Sequence, residues 1–407
     1  MLSVKSKISD IDRANLCLGC GLCESICGKE HVHMQLKPDG FFHPVVKKVV
    51  PEAEKIITAI CPGINITNDI AFSKKQSIWG NIETVCSGYA TDNEVRTRGS
   101  SGGVVSGLAI YLLSSKTVDA VLQVGGDPED YERNSLRISY TRADVLNCAS
   151  SRYAPALIFD KILAILKNSN DTYCFIGKPC DVSALKNFLS KYPIYADRFK
   201  LTIAIMCAGL PSFKGTQAII DSYKPKLPIK NLSYRGNGWP GYFSFRDGEG
   251  TSFKQSYNDS WGKTLNQHLH FRCKICPEGI GLQADIAIGD AWETKDGYPD
   301  FTEKEGQSLI ITRTDAGEET LLSAAHAQEI SFTPLKSDII RYMQPYQYTR
   351  RTRAGIRRLA VYVTTGKWLN FKHMHLHYNM RYVKATTLLR DFLGTVRRTV
   401  KHLKQNG

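Results

Sequence analysis

The sequence predicts an α/β protein with a mixed α+β sheet core, preceded by a cysteine-rich N-terminal segment and followed by a basic, mostly helical tail. Three observations predict this. Short apolar runs alternate with amphipathic stretches through the middle of the chain. Four cysteines crowd into Cys17–Cys27, and the net charge is confined to the last residues. At 407 residues the chain has room for two or three compact units, divided here as 1–75, 76–340 and 341–407. With 42% hydrophobic and 23% charged residues, neither a disordered nor a repetitive fibrous chain fits. No apolar run of about 18 residues exists, and the first residues lack a signal peptide's apolar stretch. The expectation is a cytoplasmic protein whose thiols are reduced.

In the first segment, Cys17-Leu-Gly-Cys20-Gly-Leu-Cys23-Glu-Ser-Ile-Cys27 has the C-x2-C-x2-C-x3-C spacing of bacterial ferredoxins. Spacings of two let one tight turn aim three thiolates at a single cubane, and Gly19, Gly21 and Gly28 let the backbone wrap closely. The ferredoxin run normally closes in Cys-Pro. Here Gly28 follows Cys27, and the Cys-Pro stands at Cys61-Pro62. The expected ligands of one [4Fe-4S] cluster are therefore Cys17, Cys20, Cys23 and Cys61, with Cys27 as the alternative to Cys61. Zinc on the same thiols is the competing reading.

In the body, residues 118–124, 172–176, 201–206 and 284–288 are strand-like apolar runs, and 104–113, 156–166 and 182–189 are helical between them. In such sheets the loops leaving the carboxyl ends of parallel strands gather ligands. Cys180 and Cys207 lie in two such loops, and Cys273-Lys-Ile-Cys276 precedes the last run. These four suffice for a second [4Fe-4S] cluster; the alternative is a redox-active or zinc-binding Cys273/Cys276 pair with two ordinary core cysteines. Cys86, Cys148 and Cys174 are expected to be small buried hydrophobes. Arg98-Gly-Ser-Ser-Gly-Gly103 opens the first helix, so hydroxyls, glycine backbone and helix N-terminal amides meet there, as an anion site or as a plain helix start.

The tail, residues 341–407, holds fifteen Lys and Arg against one acid, Asp391, whereas residues 1–340 balance at 38 bases and 38 acids. A neutral body argues against nucleic acid as a partner. Residues 383–403 place apolar positions near helical spacing among Arg390, Arg397, Arg398, Lys401 and Lys404. Such a surface suits an anionic membrane, which would make the protein peripheral there, or an acidic partner. His373, His375 and His377 alternate as on a strand, for a metal or a solvated face.

Several stretches together resemble one family. They are the CLGCGLC run, Asp39–Pro44, Arg96–Gly103, Ser151–Tyr153, Ile176–Cys180, Cys207–Ser212, Tyr234–Trp239, Cys273–Cys276, Ala284–Asp290 and Gly306–Leu309. In that order, across about residues 10–315, they resemble the coenzyme F420 hydrogenase/dehydrogenase beta-subunit family. The resemblance implies an iron-sulfur flavoprotein oxidoreductase. It would pass electrons between [4Fe-4S] clusters, FAD and a two-electron acceptor or donor, coenzyme F420 or another substrate, with a redox protein such as ferredoxin as partner. Bacterial members commonly accompany polysaccharide biosynthesis. The resemblance makes 1–75 a ferredoxin-like segment and 76–340 the FAD and [4Fe-4S] domain. By position it implies Cys180, Cys207, Cys273 and Cys276 as ligands of the cluster beside the flavin. It implies Ser101, Gly102, Gly103, Ser151, Tyr153, Gly177 and Lys178 as flavin-binding residues, with Lys178 and Asp290 the candidate catalytic residues. The family's usual G-T-P-C-Q reads Gly-Lys-Pro-Cys-Asp here, which adds the charges of Lys178 and Asp181. The class that competes with this one is a zinc-stabilised scaffold whose tail binds polyanion.

Overall fold

The computed structural model describes residues 7–127 and 129–406. Its centre is an eight-stranded mixed sheet of Val85–Ala90 (β1), Ala120–Gly125 (β2), Ser135–Ser139 (β3), Tyr173–Gly177 (β4), Phe199–Ile205 (β5), Ile286–Asp290 (β6), Ser308–Thr312 (β7) and Ile330–Pro334 (β8). The strand order is β8-β1-β7-β6-β5-β4-β2-β3. The four central strands β6, β5, β4 and β2 are parallel, and the flanking pairs are antiparallel. Because β7 runs against both β6 and β1, strands β1, β2, β4, β5 and β6 all end at the same edge.

Strands β4 and β7 are buried along their whole length, as strands covered on both faces must be. On one face Val104–Ser114 (α1) lays Val104, Leu108 and Leu112 over Val121, Ile203 and Ile288. On the other, Pro179–Lys191 (α2) lays Val182, Leu185 and Phe188 over Leu122, Phe175 and Ala204. Adjacent residues of one strand thus serve opposite layers. The strands and helices expected from periodicity lie within three residues of observed ones, except the 156–166 stretch, which becomes helical only at Ile162–Asn168.

The N-terminal segment forms a hairpin, Val32–Leu36 with Phe42–Val46, and a helix, Pro51–Ile60, held to α2 where Asn187 Nδ2 donates to Ile60 O and Asn65 O (both 3.2 Å). The tail is helical over Pro345–Thr365 (α3) and Ala385–Asn406 (α4). Between these helices Asn370–Lys372 pairs in parallel with Asn65–Thr67, and Ile11, Leu16 and Ile66 share one apolar core with Val361, Leu369 and Phe371. First and last segments are therefore built together. Several tail cations point inward: fully buried Arg351 donates to the carbonyls of Ser77, Ile78, Pro277 and Met374. His373 and His375 bind the carbonyls of Asn68 and Phe72 and do not converge with His377 on a common ligand point. Among the described residues no helix is long and apolar enough to cross a membrane.

Candidate functional site

The shared edge of the five co-directional strands opens into a cleft of about 1410 Å³, including its part open to solvent. Its floor is made by the strand ends at Gln123, Gly177, Ile205 and Asp290. One wall is the segment Gly99–Ser106, which turns into α1. Gly103 takes φ 73°, and a Cβ there would stand 2.5 Å from Val95 O, so only glycine allows this loop to close under the helix. The first turn of α1, whose amides have no partner within the helix, lines the cleft at Val104, Val105 and Ser106. Ser101 Oγ donates to Gly289 O (3.1 Å), which ties the loop to β6. Of the residues expected to bind a cofactor, Ser101, Gly103, Ser151, Tyr153, Gly177 and Lys178 all line the cleft, with Asp290 beside them. Gly102 stands apart, packed on Gly306. Cys148, expected in the core, lines the cleft instead, because its helix ends at the rim.

Asp290 does not stand free. The loop 234–241, between the strands Lys230–Ser233 and Tyr242–Arg246, drops Arg235 into the cleft. Arg235 Nη1 and Nη2 donate to the two Asp290 oxygens (3.0 and 2.8 Å), and Trp239 Nε1 adds a third bond (2.7 Å). Burial opposes the charge of Arg235, whose side chain is 2% exposed, but Asp290 holds the guanidinium charged. Its other contacts are Ser100 O (2.6 Å), Pro240 O (2.7 Å) and the Tyr153 hydroxyl (3.2 Å). Asp290 is thus an anchor for a fixed cation, not an open base. Tyr257 and Tyr346 also face the cleft, and burial raises both hydroxyls so that they keep their protons.

At the deep end Lys178 caps α2. Its backbone N–H and its Nζ both donate to Asp181 Oδ2 (2.9 and 2.6 Å). Burial alone would strip the ammonium, but Asp181, then Cys180, hold its pKa above the usual lysine value. Cys207 and Cys276 lie within electrostatic reach of each other and of both Cys180 and Cys273 here, and Cys207 also lines the cleft. Burial first, then Cys207 and Cys276, push the Cys273 thiol up to about 12. Leu210 N–H and Glu278 N–H point at the sulfurs of Cys273 and Cys276 (both 3.4 Å). From α3, Arg350 donates to Ala208 O (2.7 Å) and places its charge beside Cys276, Cys207 and Cys273.

The second thiol set borders its own cavity of about 460 Å³, including its part open to solvent, lined by Cys17, Cys20, Cys23 and Cys61 and by apolar side chains including Ile8, Leu22 and Ile60. Gly21 takes φ 84° against Asp160, whose backbone nitrogen a Cβ would meet at 2.8 Å, so the turn carrying Cys20 and Cys23 needs glycine there. Burial, then Cys61, pushes the Cys20 thiol up to about 12. Cys27 does not border the cavity. It lies toward Glu54 and Glu30, half-buried. Among the described residues no group of three or more His, Cys, Asp or Glu side chains closes tightly enough for a single metal ion.

Two family models described as "Coenzyme F420 hydrogenase/dehydrogenase, beta subunit" match the chain, the one for the N-terminal part over residues 85–163 and the one for the C-terminal part over 170–338, together more than half of it. The chain belongs to the coenzyme F420 hydrogenase/dehydrogenase beta-subunit family. The matched residues hold the whole sheet and most of the cleft. Among relatives, the coenzyme F420 hydrogenase subunit beta of Methanococcus voltae is 28% identical over 251 residues, 59% of this chain and 80% of that one. The F420-dependent formate dehydrogenase subunit beta of Methanocaldococcus jannaschii is 24% identical over 226 residues, 54% of this chain and 57% of that one. A chain from the F420-reducing [NiFe] hydrogenase complex of Methanosarcina barkeri has the same fold, with TM-score 0.54 and 19% identity over 72% of this chain and 97% of that one.

Four cleft or thiol-site residues escaped the sequence reading. Arg235 lies inside the Tyr234–Trp239 stretch that carries the family resemblance, so its signal was present without a role. Tyr257 sits in a stretch with no motif. Tyr346 and Arg350 fall beyond the division at 340, where the density of Arg and Lys suggests a membrane or partner surface and not a cleft wall.

Proposed function

We propose that this protein is an iron-sulfur flavoprotein oxidoreductase, with FAD in the cleft and a [4Fe-4S] cluster on each thiol set. The observation that carries the reading is Cys207, which belongs both to the central thiol set and to the cleft lining. A one-electron store and a two-electron store can thus share a wall. When bound, clusters of this kind pass electrons singly while a flavin exchanges two as a hydride. Both sites fit their groups on donor chemistry. Four thiols border one cavity and four more gather at the inner side of the cleft, with Cys207 on its wall, and the cleft offers a helix N-terminus, hydroxyls and glycine backbone for a diphosphate.

The chain's own residues do the rest. The α1 N-terminus and Ser101 loop hold the anionic end of the cofactor, while Arg235, fixed by Asp290 and Trp239, supplies an immobile positive charge. Tyr257 and Tyr346 stay protonated at the cleft wall and can donate hydrogen bonds there. Lys178 keeps its ammonium at the boundary between cleft and thiols, held charged by Asp181. The deazaflavin F420 named in the relatives is the proposed two-electron partner. A ferredoxin-like donor would meet the Cys17/Cys20/Cys23/Cys61 set, and the basic tail helix offers a second surface for an anionic membrane or acidic partner.

The deciding measurement is iron, acid-labile sulfide, zinc and extractable flavin per chain, on protein purified without oxygen. About eight iron, eight sulfide and one FAD are expected. Zinc in place of iron, with no flavin, would overturn the reading.

A further inference from the structure

The charge distribution and the exposed apolar surface converge on the tail. Residues 341–407 carry a net +14, and nine of the sixteen exposed large hydrophobics that lie outside the cleft, among the described residues, also fall in this sixth of the chain. Helix α4 explains how both can be true. Its inner face packs on α3, with Thr395 and Thr399 buried. Its one acid, Asp391, is turned inward, 3.4 Å from Arg353 and 3.5 Å from Arg357. Its outer face presents Leu389 (59% exposed), Leu393 (57%) and Val400 (39%). Spaced four and seven apart, these fall in one row along the helix. Exposed Arg390, Arg397 and Lys401 flank that row; Lys404 lies outside the described side chains. At the end of α3, Trp368 and Tyr362 form an exposed edge-to-face pair (5.3 Å between ring centroids). Amphipathic aromatics of this kind settle at water–lipid boundaries.

We propose that the outer face of α4 docks the protein in the plane of an anionic lipid bilayer. The Leu389–Leu393–Val400 row enters the headgroup boundary, and Arg390, Arg397 and Lys401 meet the anionic headgroups. Twenty-two residues of helix extend about 33 Å, long enough to lie along the interface and too polar to cross it. An acidic protein surface would satisfy the cations but would set carboxylates against three branched aliphatic side chains. Only an apolar layer beneath an anionic one satisfies both halves of the face. Vesicle binding involves no electron transfer, so this inference stands or falls separately from the redox reading.

The test is flotation of the full chain with vesicles of phosphatidylcholine alone and of phosphatidylcholine with phosphatidylserine. Binding is expected on the anionic vesicles, weaker on the neutral ones, and reduced by added salt. Leu389→Asp with Leu393→Asp, and separately Arg390→Glu with Arg397→Glu and Lys401→Glu, should each weaken binding by roughly tenfold or more. All five positions face solvent, so an unchanged thermal midpoint verifies that the variants fold. No flotation on anionic vesicles would overturn the proposal. So would flotation that survives the leucine changes, or capture by immobilised polyglutamate with the vesicles ignored, which would mark the face as a dock for acidic protein.

Discussion

Cys17, Cys20, Cys23 and Cys61 border a cavity whose remaining walls are mostly aliphatic, whereas Cys180, Cys207, Cys273 and Cys276 gather between Lys178 and Arg350. The cations nearest the first set are Arg272, felt at Cys61, and Lys178, felt weakly at Cys20. The second set has the charge of Arg350 beside three of its thiols, while at Cys180 the charge of Asp181 outweighs that of Lys178. An electron added to either site adds negative charge, which fixed cations favour and an apolar wall penalises. The same ligand type is therefore expected to serve two potentials, lower at the N-terminal set and higher at the central one. Electrons entering near the N-terminus would run downhill toward the cleft.

The sharpest way to break this comparison is to remove a thiol. Cys61→Ser should cost about four iron per chain while Cys27→Ser costs none, read by iron and sulfide analysis after anaerobic reconstitution; the reverse pattern would make Cys27 the fourth ligand. Next in size is the cleft beside the central set. Asp290→Ala strands a buried guanidinium and should lower unfolding stability by about 3 kcal/mol. Lys226→Ala, which breaks an exposed pair with Glu249, should cost less than about 0.5 kcal/mol. Equal midpoints in denaturant for the two variants would show that the Arg235 anchor matters little. Arg350→Gln should lower the midpoint potential of the central cluster by on the order of 60 mV, a tenfold change for one electron. The N-terminal cluster should not move, so an EPR-monitored titration that shifts both would remove the electrostatic distinction.

The smallest expected effect concerns a pin at the N-terminal set. His43 bridges Asp12 (2.6 Å) and Asp39 (2.9 Å), next to Pro44 on the cavity wall. Burial opposes its charge, but Asp12 and Asp39 push its pKa up to about 9, above the ordinary 6.5. A group raised in this way stabilises the fold fully below pH 6.5 and ceases to do so as pH rises through about 9. His43→Gln should therefore lower stability by about 1 kcal/mol at pH 6 and by little at pH 10. A stability loss that does not depend on pH would mean that His43 acts by packing alone.

Parts of this architecture were legible before any coordinates. The runs that became β4 and β5 are apolar on both faces, and the cysteine spacing fixed which thiols share the first turn. Strands β1, β3, β7 and β8 were not legible. Val85–Ala90 contains Ser87 and Gly88, and its partners, such as Ile310 opposite Cys86, lie more than two hundred residues away. Local pattern says nothing about such a pairing. The same holds for the site. Asp290 looked available because its ligand Arg235 arrives from a distant loop, and Arg350 and Arg351 had no role of their own because charge density hides which cations point inward. Cys148 looked like core because nothing in its neighbours marks the rim of a cleft.

The short parallel ladder between Asn65–Thr67 and Asn370–Lys372 has a temporal consequence. A growing chain presents Cys17, Cys20, Cys23 and Cys61 early, but the strand and apolar residues that close the core behind them emerge about three hundred residues later. The apolar core behind the first thiol set thus stays incomplete until synthesis of the tail is nearly done, although every residue that lines the thiol cavity itself, from Ile8 to Pro62, has emerged long before. The site can be assembled early, and the arriving tail then buttresses it from behind.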